Sequence, residues 1–180
     1  MGAVIEIPDV GELHHHYETV IHDNGHADYE DGIVLNGSGS GTVGNVTLEH
    51  NLTYANYYSG IRTVDTAYTN VLVRKNTFYR NGLLSSAAGR GEIVLDDSSA
   101  GQNETFTSNI LFAGFQVINS CPAATGSNYR FTDNVVHGTV PSGASCMTGN
   151  VVLDPSFLDP GSADFHTSNL AAAAYGAYAP

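Results

Sequence analysis

The chain has 180 residues, a formal net charge of −12 and only 13% charged residues. This length is enough for one domain with a hydrophobic core, and the acidic charge excludes the basic face that nucleic-acid binding needs. No apolar run reaches the roughly 18 residues of a membrane span. We therefore expect no nucleic acid and no membrane among the partners of this chain.

A recurring spacing of asparagines organises the sequence. The pattern Asn-x5-Asn occurs four times, and weaker copies end at Thr19 and at Asn150. The second asparagines of the four copies are separated by 25, 33 and 25 residues, which indicates a stacked repeat. The four copies are NVTLEHN (45–51), NVLVRKN (70–76), NETFTSN (103–109) and NYRFTDN (128–134).

Each repeat is predicted to hold three short strands. Apolar and polar residues alternate before the second asparagine, as in Val46 and Leu48, and another short apolar piece follows it. After a variable gap comes the strand of a first sheet, and no stretch has a convincing helical period. These strands begin at Ile33, Ile61, Ile93 and Phe115. The pattern predicts an all-β chain, a parallel β-helix of about five to six coils.

Equivalent positions of successive coils should lie above one another. The second asparagines would then form a ladder of side-chain amides, which satisfies polar groups that are costly to bury unpaired. The same register places Asn24, Asn56 and Asn81 in a second column. A column of aromatic residues is also expected, made of Tyr54, Tyr79 and Phe112.

The spacing of the two cysteines tests this register. Cys121 and Cys146 each follow a ladder asparagine by 12 residues, so they should lie in one column on adjacent coils. We expect a disulfide and therefore an oxidising compartment. Two small buried thiols are the alternative.

These features resemble the right-handed parallel β-helix superfamily that includes the pectate lyases. The ending DPSFLDPGSADFHTSN is similar to the D-P-x-F-x-D-P ending of many of its secreted members. The resemblance implies one single-stranded, right-handed β-helix domain over 1–180, with an irregular tail or cap over 154–180. It also implies a carbohydrate ligand and a secreted or cell-surface location. The near absence of an N-terminal cap favours the C-terminal part of a longer β-helix, and open ends invite self-association.

The first sheet is where lyases and hydrolases of the superfamily bind sugar. In uronate lyases of this superfamily, Ca²⁺ neutralises the substrate carboxylate and an Arg or Lys abstracts a proton. That comparison makes Arg62 the candidate base, while Lys75 is a weaker candidate beside the ladder turn. Outward-facing candidates for substrate binding are Asn36, Glu92 and Gln116.

Carboxylates at the end of the first sheet offer oxygen ligands for Ca²⁺. Asp65 should stack near Asp96 and Asp97 of the next coil. The alternative is that Asp96 and Asp97 are turn residues that bond the local backbone. A separate cluster of histidines includes His14 and His16, which share a face as a metal pair would, or are polar residues of an exposed end coil.

Two functions from different classes remain. The first is a Ca²⁺-assisted lyase that acts on a uronate polymer. The second is a non-catalytic β-helix that binds carbohydrate or assembles with itself. The resemblance favours the first function, a polysaccharide lyase, whereas the short chain and the incomplete catalytic signatures favour the second. A histidine-rich metal protein is a third, weaker reading.

Overall fold

Short strands and turns make up almost all of the described chain. The computed structural model describes residues 5–7, 14–24, 30–36, 42–64, 67–83, 89–96, 102–121, 129–142 and 145–180. Two short 3₁₀ turns, Ser145–Met147 and Pro160–Ser162, are the helical elements of this part. The strands are β1 (Ile5–Ile7), β2 (His14–Tyr17), β3 (Val20–His22), β4 (Ile33–Asn36), β5 (Thr42–Glu49), β6 (Leu52–Tyr54), β7 (Ser59–Val64), β8 (Ala67–Arg74), β9 (Thr77–Tyr79), β10 (Gly91–Leu95), β11 (Gln102–Thr107), β12 (Ile110–Phe112), β13 (Tyr129–His137), β14 (Gly149–Val152), β15 (Phe157–Asp159) and β16 (Asp164–Thr167).

Equivalent strands of successive repeats pair in parallel. The first sheet has the order β1-β4-β7-β10. A larger parallel sheet contains β2-β5-β8-β11-β13 and β3-β6-β9-β12-β13, which meet in the long strand β13, and β14 pairs with β13. The register places Leu48 beside Val73 and Val73 beside Phe106, as the repeat predicts. The all-β, parallel prediction is confirmed, and this arrangement is consistent with a parallel β-helix.

The core lies between the sheets because alternate residues of each strand point inward. In the larger sheet the inward positions are fully or almost fully buried, and the first sheet contributes another row. Since each strand contributes only two or three such residues, stability depends on stacking one repeat upon the next. The inward rows are Val46, Leu48, Val71, Val73, Phe106 and Phe131 from the larger sheet, and Ile33, Leu35, Ile61, Ile93 and Leu95 from the first sheet.

A buried ladder of asparagine amides runs through the stack as predicted. The Nδ2 of Asn51 donates to Oδ1 of Asn76 at 3.0 Å, and Asn76 donates in the same way to Asn109 at 3.1 Å. The ladder continues from Asn109 to Asn134 at 2.9 Å and to Asn150 at 2.7 Å. Each Oδ1 also accepts from the backbone N–H of the preceding ladder residue, so the buried turn leaves its polar groups paired.

The residue that precedes each ladder asparagine from Asn51 to Asn134, and the residue that precedes Thr19, has a left-handed backbone. Its φ lies between 51° and 57°, a region that non-glycine residues rarely adopt. The same conformation recurs at Asn45, Asn70 and Asn103, whose exposed side chains form a further ladder of their own. The residues before the buried ladder are Glu18, His50, Lys75, Ser108 and Asp133.

The segment after β14 folds back along the outside of the stack. The strands β15 and β16 form an antiparallel hairpin, whereas the sequence predicts an irregular tail. The predicted aromatic column is confirmed, since Tyr79 lies beside Phe112. Phe157 and Phe165 of the hairpin pack against this column. Farther along, the N–H of Gly176 donates to the carbonyl of Ser108 at 2.9 Å. We call residues 154–180 the strap.

The predicted disulfide is present. Cys121 is bonded to Cys146, and their Cα atoms are 5.7 Å apart. The bond closes a loop of 25 residues and ties the turn after β12 to the 3₁₀ turn before β14. Among the described residues no helix has the length and apolar character needed to cross a membrane.

Candidate functional site

Arg62 is the centre of a charged cluster on the first sheet. It lies in the middle of β7, next to Val34 of β4 and Val94 of β10 in the register. Its neighbours Ile61 and Thr63 point into the core, so the alternation of β7 directs Arg62 outward. The guanidinium lies over the ring of Tyr58, 5.0 Å from its centroid.

Two carboxylates hold the Arg62 guanidinium. Its Nε donates to Oδ2 of Asp96 at 2.7 Å, and its Nη2 lies 2.5 Å from the same oxygen. Its Nη1 is 3.5 Å from Oδ2 of Asp31. Burial lowers the pKa of Arg62, but the hydrogen bond and charge of Asp96 and the charge of Asp31 outweigh it, so the pKa lies above its usual value. Arg62 therefore stays protonated within this cluster.

Asp31 is a further member of the cluster, and it comes from the acidic stretch of the sequence that precedes the first-sheet strand β4. Its carboxylate is buried and accepts a hydrogen bond from Oγ of Ser59 at 2.5 Å. Burial raises the pKa of Asp31 to about 6, although the Ser59 hydrogen bond and the nearby Arg62 charge act in the opposite direction. Asp31 directly precedes Gly32 and β4 in an acidic stretch. Its position just before a first-sheet strand is the feature of the sequence that points to this site.

The calcium prediction is only partly visible in the structure. Asp96 lies at the end of β10, where the repeat places it, but one of its oxygens is taken by Arg62. Asp65 and Asp97 lie outside the described residues. Within the described ranges no group of three or more His, Cys, Asp or Glu side chains is arranged to hold a metal ion.

Glu92 does not point outward, and that part of the prediction is wrong. Its side chain is fully buried. Oε2 accepts from Nδ2 of Asn81 at 2.6 Å, and Oε1 accepts from the Asn81 backbone N–H at 3.0 Å. The cause is a tight corner, since Gly32 and Gly60 fill the positions equivalent to Glu92, and a Cβ on Gly60 would lie 2.9 Å from Nδ2 of Asn81. Burial raises the pKa of Glu92 to about 8 despite its hydrogen bonds to Asn81 and Gly114.

The strand predicted to begin at Phe115 is also placed differently. Ile118, not Phe115, bridges to Ile93, so the register is shifted by three residues. Ile118 and Val94 are buried, although the alternation predicts that they face outward. The side chain of Gln116 consequently turns back, and its Nε2 donates to the carbonyl of Arg90 at 2.6 Å.

The shift leaves Phe115 at the surface, before the sheet begins. Its side chain is 38% exposed. The guanidinium of Arg90 covers the ring at 3.7 Å from the centroid. An aromatic ring with a cation on one face presents an apolar platform with a polar rim, a combination common in ligand sites.

The remaining candidates lie apart from the Arg62 cluster. Asn36 ends β4 beside Val64 and is half-buried. Lys75 lies in the ladder turn between β8 and β9, and its Nζ donates to the carbonyl of Pro180 in the strap. The structure therefore brings Arg62 and Asp96 together, but it does not bring Lys75 to them. The histidines His14 and His16 lie in β2, and their side chains are outside the described part.

The strap forms two small clefts with the larger sheet. One of about 200 Å³ lies between the hairpin and β9 and is lined by residues that include Thr77 and Phe165. Another of about 260 Å³ lies at the end of the strap, between His50 and Tyr178. Neither cleft includes a residue of the Arg62 cluster.

No family profile, curated protein or solved structure matches the chain.

Proposed function

We propose that the chain is a right-handed parallel β-helix of five to six coils that binds a polysaccharide on its first-sheet side and does not cleave it. The parallel register and the buried asparagine ladder support this fold. The proposal that the chain does not cleave its ligand rests on Arg62, because two carboxylates hold its guanidinium in the charged form.

The other ionisable candidates also have structural partners. A general base must give up its proton before it can accept one from a substrate, and the raised pKa of Arg62 opposes that. Lys75 contacts the strap on another side of the stack. Glu92 is buried and holds Asn81. These contacts favour a binding module over an enzyme.

The exposed ring of Phe115 is the feature that fits a sugar. The C–H faces of sugar rings stack on aromatic side chains, and Phe115 presents its ring next to Arg90 and Gln116. The chain has only 6 Lys and Arg residues against 18 Asp and Glu, so a polyanionic glycan would be repelled. We therefore infer a neutral polysaccharide.

The disulfide favours an extracellular setting for this binding. Disulfides form and persist in oxidising compartments and are rare in the cytosol. The Cys121–Cys146 bond thus supports a secreted or cell-surface location, where polysaccharides are the abundant polymers.

Affinity electrophoresis through gels that contain single neutral polysaccharides tests the proposal. We expect one or more of them to retard the chain, and Phe115→Ala to abolish the retardation. Tyr178→Ala is the matched control, since Tyr178 is a similarly exposed aromatic residue, 44% exposed, on the strap. Equal retardation of the Phe115→Ala variant would contradict the assignment of the site.

The second candidate is the Ca²⁺-assisted lyase. The contact of Arg62 with Asp96 favours it, since a candidate base and a candidate calcium ligand are adjacent at the end of the first sheet. Ultraviolet absorbance of unsaturated products from polyuronates, recorded with Ca²⁺ and with a chelator, tests it. A Ca²⁺-dependent rise that is lost in Arg62→Ala would establish the lyase and refute the non-catalytic proposal.

A further inference from the structure

The last repeat exposes a residue whose equivalents in the preceding repeats lie in the core. We define this repeat as residues 138–153. Val152 of β14 lies beside Val136 of β13 in the register, and Val136 is 1% exposed. The residues before it in this row, Phe78 and Leu111, are fully buried. Val152 nevertheless is 80% exposed, because no described residue covers this end of the stack.

The backbone of β14 is open on the same side. β14 pairs with β13 along one edge, and no strand in the described ranges pairs with its other edge. The strap strands β15 and β16 pair with each other and not with β14. The N–H of Leu153 donates to the carbonyl of Val136 at 3.2 Å, which continues the pairing with β13, and Leu153 packs against Ile110 and Val135. An open strand edge is a template for pairing with another chain.

This edge lacks charged side chains, which are one of the devices that protect the edges of natural sheets. Exposed strand edges are commonly blocked by charged side chains, lysine above all. The sequence from 138 to 153, GTVPSGASCMTGNVVL, contains no charged residue, in a chain whose net charge is −12. Two copies of this segment can therefore approach each other without like-charge repulsion between its side chains.

The opposite end of the stack differs. Ile21 of the first repeat, which belongs to the same row as Val152, is fully buried. A head-to-tail contact would need two complementary surfaces, whereas a two-fold contact needs only one surface that matches itself. The uncharged, apolar last repeat meets that requirement.

We propose that the last repeat is a homodimer interface at which two copies meet end to end about a two-fold axis. The open edges of the two β14 strands pair antiparallel, and Val152 of each copy becomes buried. The end of a stack is small beside the roughly 800 Å² per partner of a stable protein interface. The dimer is consequently expected to be weak and to form with rising concentration.

Sedimentation equilibrium over a wide range of concentrations tests the interface. We expect the wild-type chain to pass from monomer to dimer and Val152→Lys to stay monomeric, because it would bury two like charges. Leu158→Lys is the matched control, since Leu158 is a 59% exposed aliphatic residue outside the last repeat, and it should dimerise as the wild type does. Far-ultraviolet circular dichroism checks that both variants are folded.

Cross-linking distinguishes the two-fold arrangement from other contacts. A Val152→Cys chain should link to a second copy of itself with a short thiol-specific reagent, and Leu158→Cys should not. A wild type that stays monomeric throughout would overturn the proposal. So would dimerisation of Val152→Lys, loss of the dimer in Leu158→Lys, or equally rapid linking of the two cysteine variants.

Discussion

Glu92 accepts the hydrogen bonds of Asn81 and so ends the second asparagine column, because the next repeat has no asparagine at that position. Asn24 and Asn56 each bond the following asparagine, and Asn81 bonds the Glu92 carboxylate instead. The equivalent residue of the next repeat is Gly114, which has no side chain to offer. A carboxyl group that is buried to end a ladder links the pH to the stability of the stack.

We predict that the free energy of unfolding falls as the pH rises from about 4.5 to about 8. The raised pKa of Glu92 means that the folded state retains a proton that the unfolded chain releases near its ordinary pKa of 4.5. The contribution is therefore complete below about pH 4.5 and lost as the pH passes about 8, and its size is at most about 5 kcal/mol. Asp31, with a pKa of about 6, acts in the same direction. Urea unfolding at a series of pH values measures the slope.

Glu92→Gln separates the contribution of Glu92 to the pH dependence from that of Asp31. Glutamine has nearly the same shape and cannot ionise, so we expect the free energy of unfolding to vary less with pH in this variant. The remaining slope should become smaller again when Asp31→Asn is added. A Glu92→Gln chain with an unchanged pH slope would show that the buried carboxyl does not titrate in this range.

A second prediction concerns the buried ladder. Asn76→Ala removes an acceptor for the backbone and side-chain amides of Asn51 and a donor to the carbonyl of Leu48. Buried groups left unpaired cost about 1 to 3 kcal/mol each, so we expect a loss of about 3 kcal/mol or more in urea unfolding. Asn70→Gly is the control, since it breaks the exposed ladder and glycine tolerates the left-handed φ of 56°. Its cost should remain below about 1 kcal/mol.

A third prediction concerns the disulfide. Closing a loop of 25 residues restricts the unfolded chain, and removal of such a bond costs about 3 kcal/mol. The double variant Cys121→Ser, Cys146→Ser should lose about this amount in urea unfolding and should no longer respond to reductant. If reductant leaves the unfolding midpoint of the wild type unchanged, the bond contributes nothing to stability.

A fourth prediction concerns the strap. Phe165 is almost fully buried, and its ring lies about 5 Å from the rings of Tyr54, Tyr79 and Phe157. Phe165→Ala should cost about 3 to 5 kcal/mol, and the near-ultraviolet dichroism of the tyrosines should weaken. Leu158→Ala on the same hairpin should have almost no effect, because Leu158 is exposed. A similar cost for both substitutions would mean that the strap does not dock on the aromatic column.

Much of the fold could be predicted because the same residue types, and not only the same spacing, recur in successive repeats. The ladder from Asn51 to Asn134 and the pairing of Cys121 with Cys146 follow from counting residues alone. The first-sheet strand of the fourth repeat could not be placed in this way. Its sequence GFQVI has apolar residues at both candidate positions, and packing against Ile93 selects Ile118 over Phe115.

The site was less accessible to such reasoning. The repeat places Arg62 and Asp96 on neighbouring strands, and their contact agrees with it. Asp31 joins them only through the corner before β4, where no alternation applies. The position of Glu92 is not predicted correctly because all five residues of β10 are buried, so both faces of this strand are covered. Period-two counting assigns one face of a strand to solvent and therefore fails for β10.

The strap changes how the stack can come apart. In a plain solenoid each repeat touches only its neighbours, so the end repeats fray independently and unfolding spreads one layer at a time. Here the strap leaves the stack at its last repeat and contacts Phe112, Tyr79 and Tyr54 on its way back. The strap thus connects repeats that are not neighbours in the stack. Repeats that would otherwise unfold one after another are expected to unfold together with the strap, so that this repeat protein unfolds in one cooperative transition, as a globular domain does.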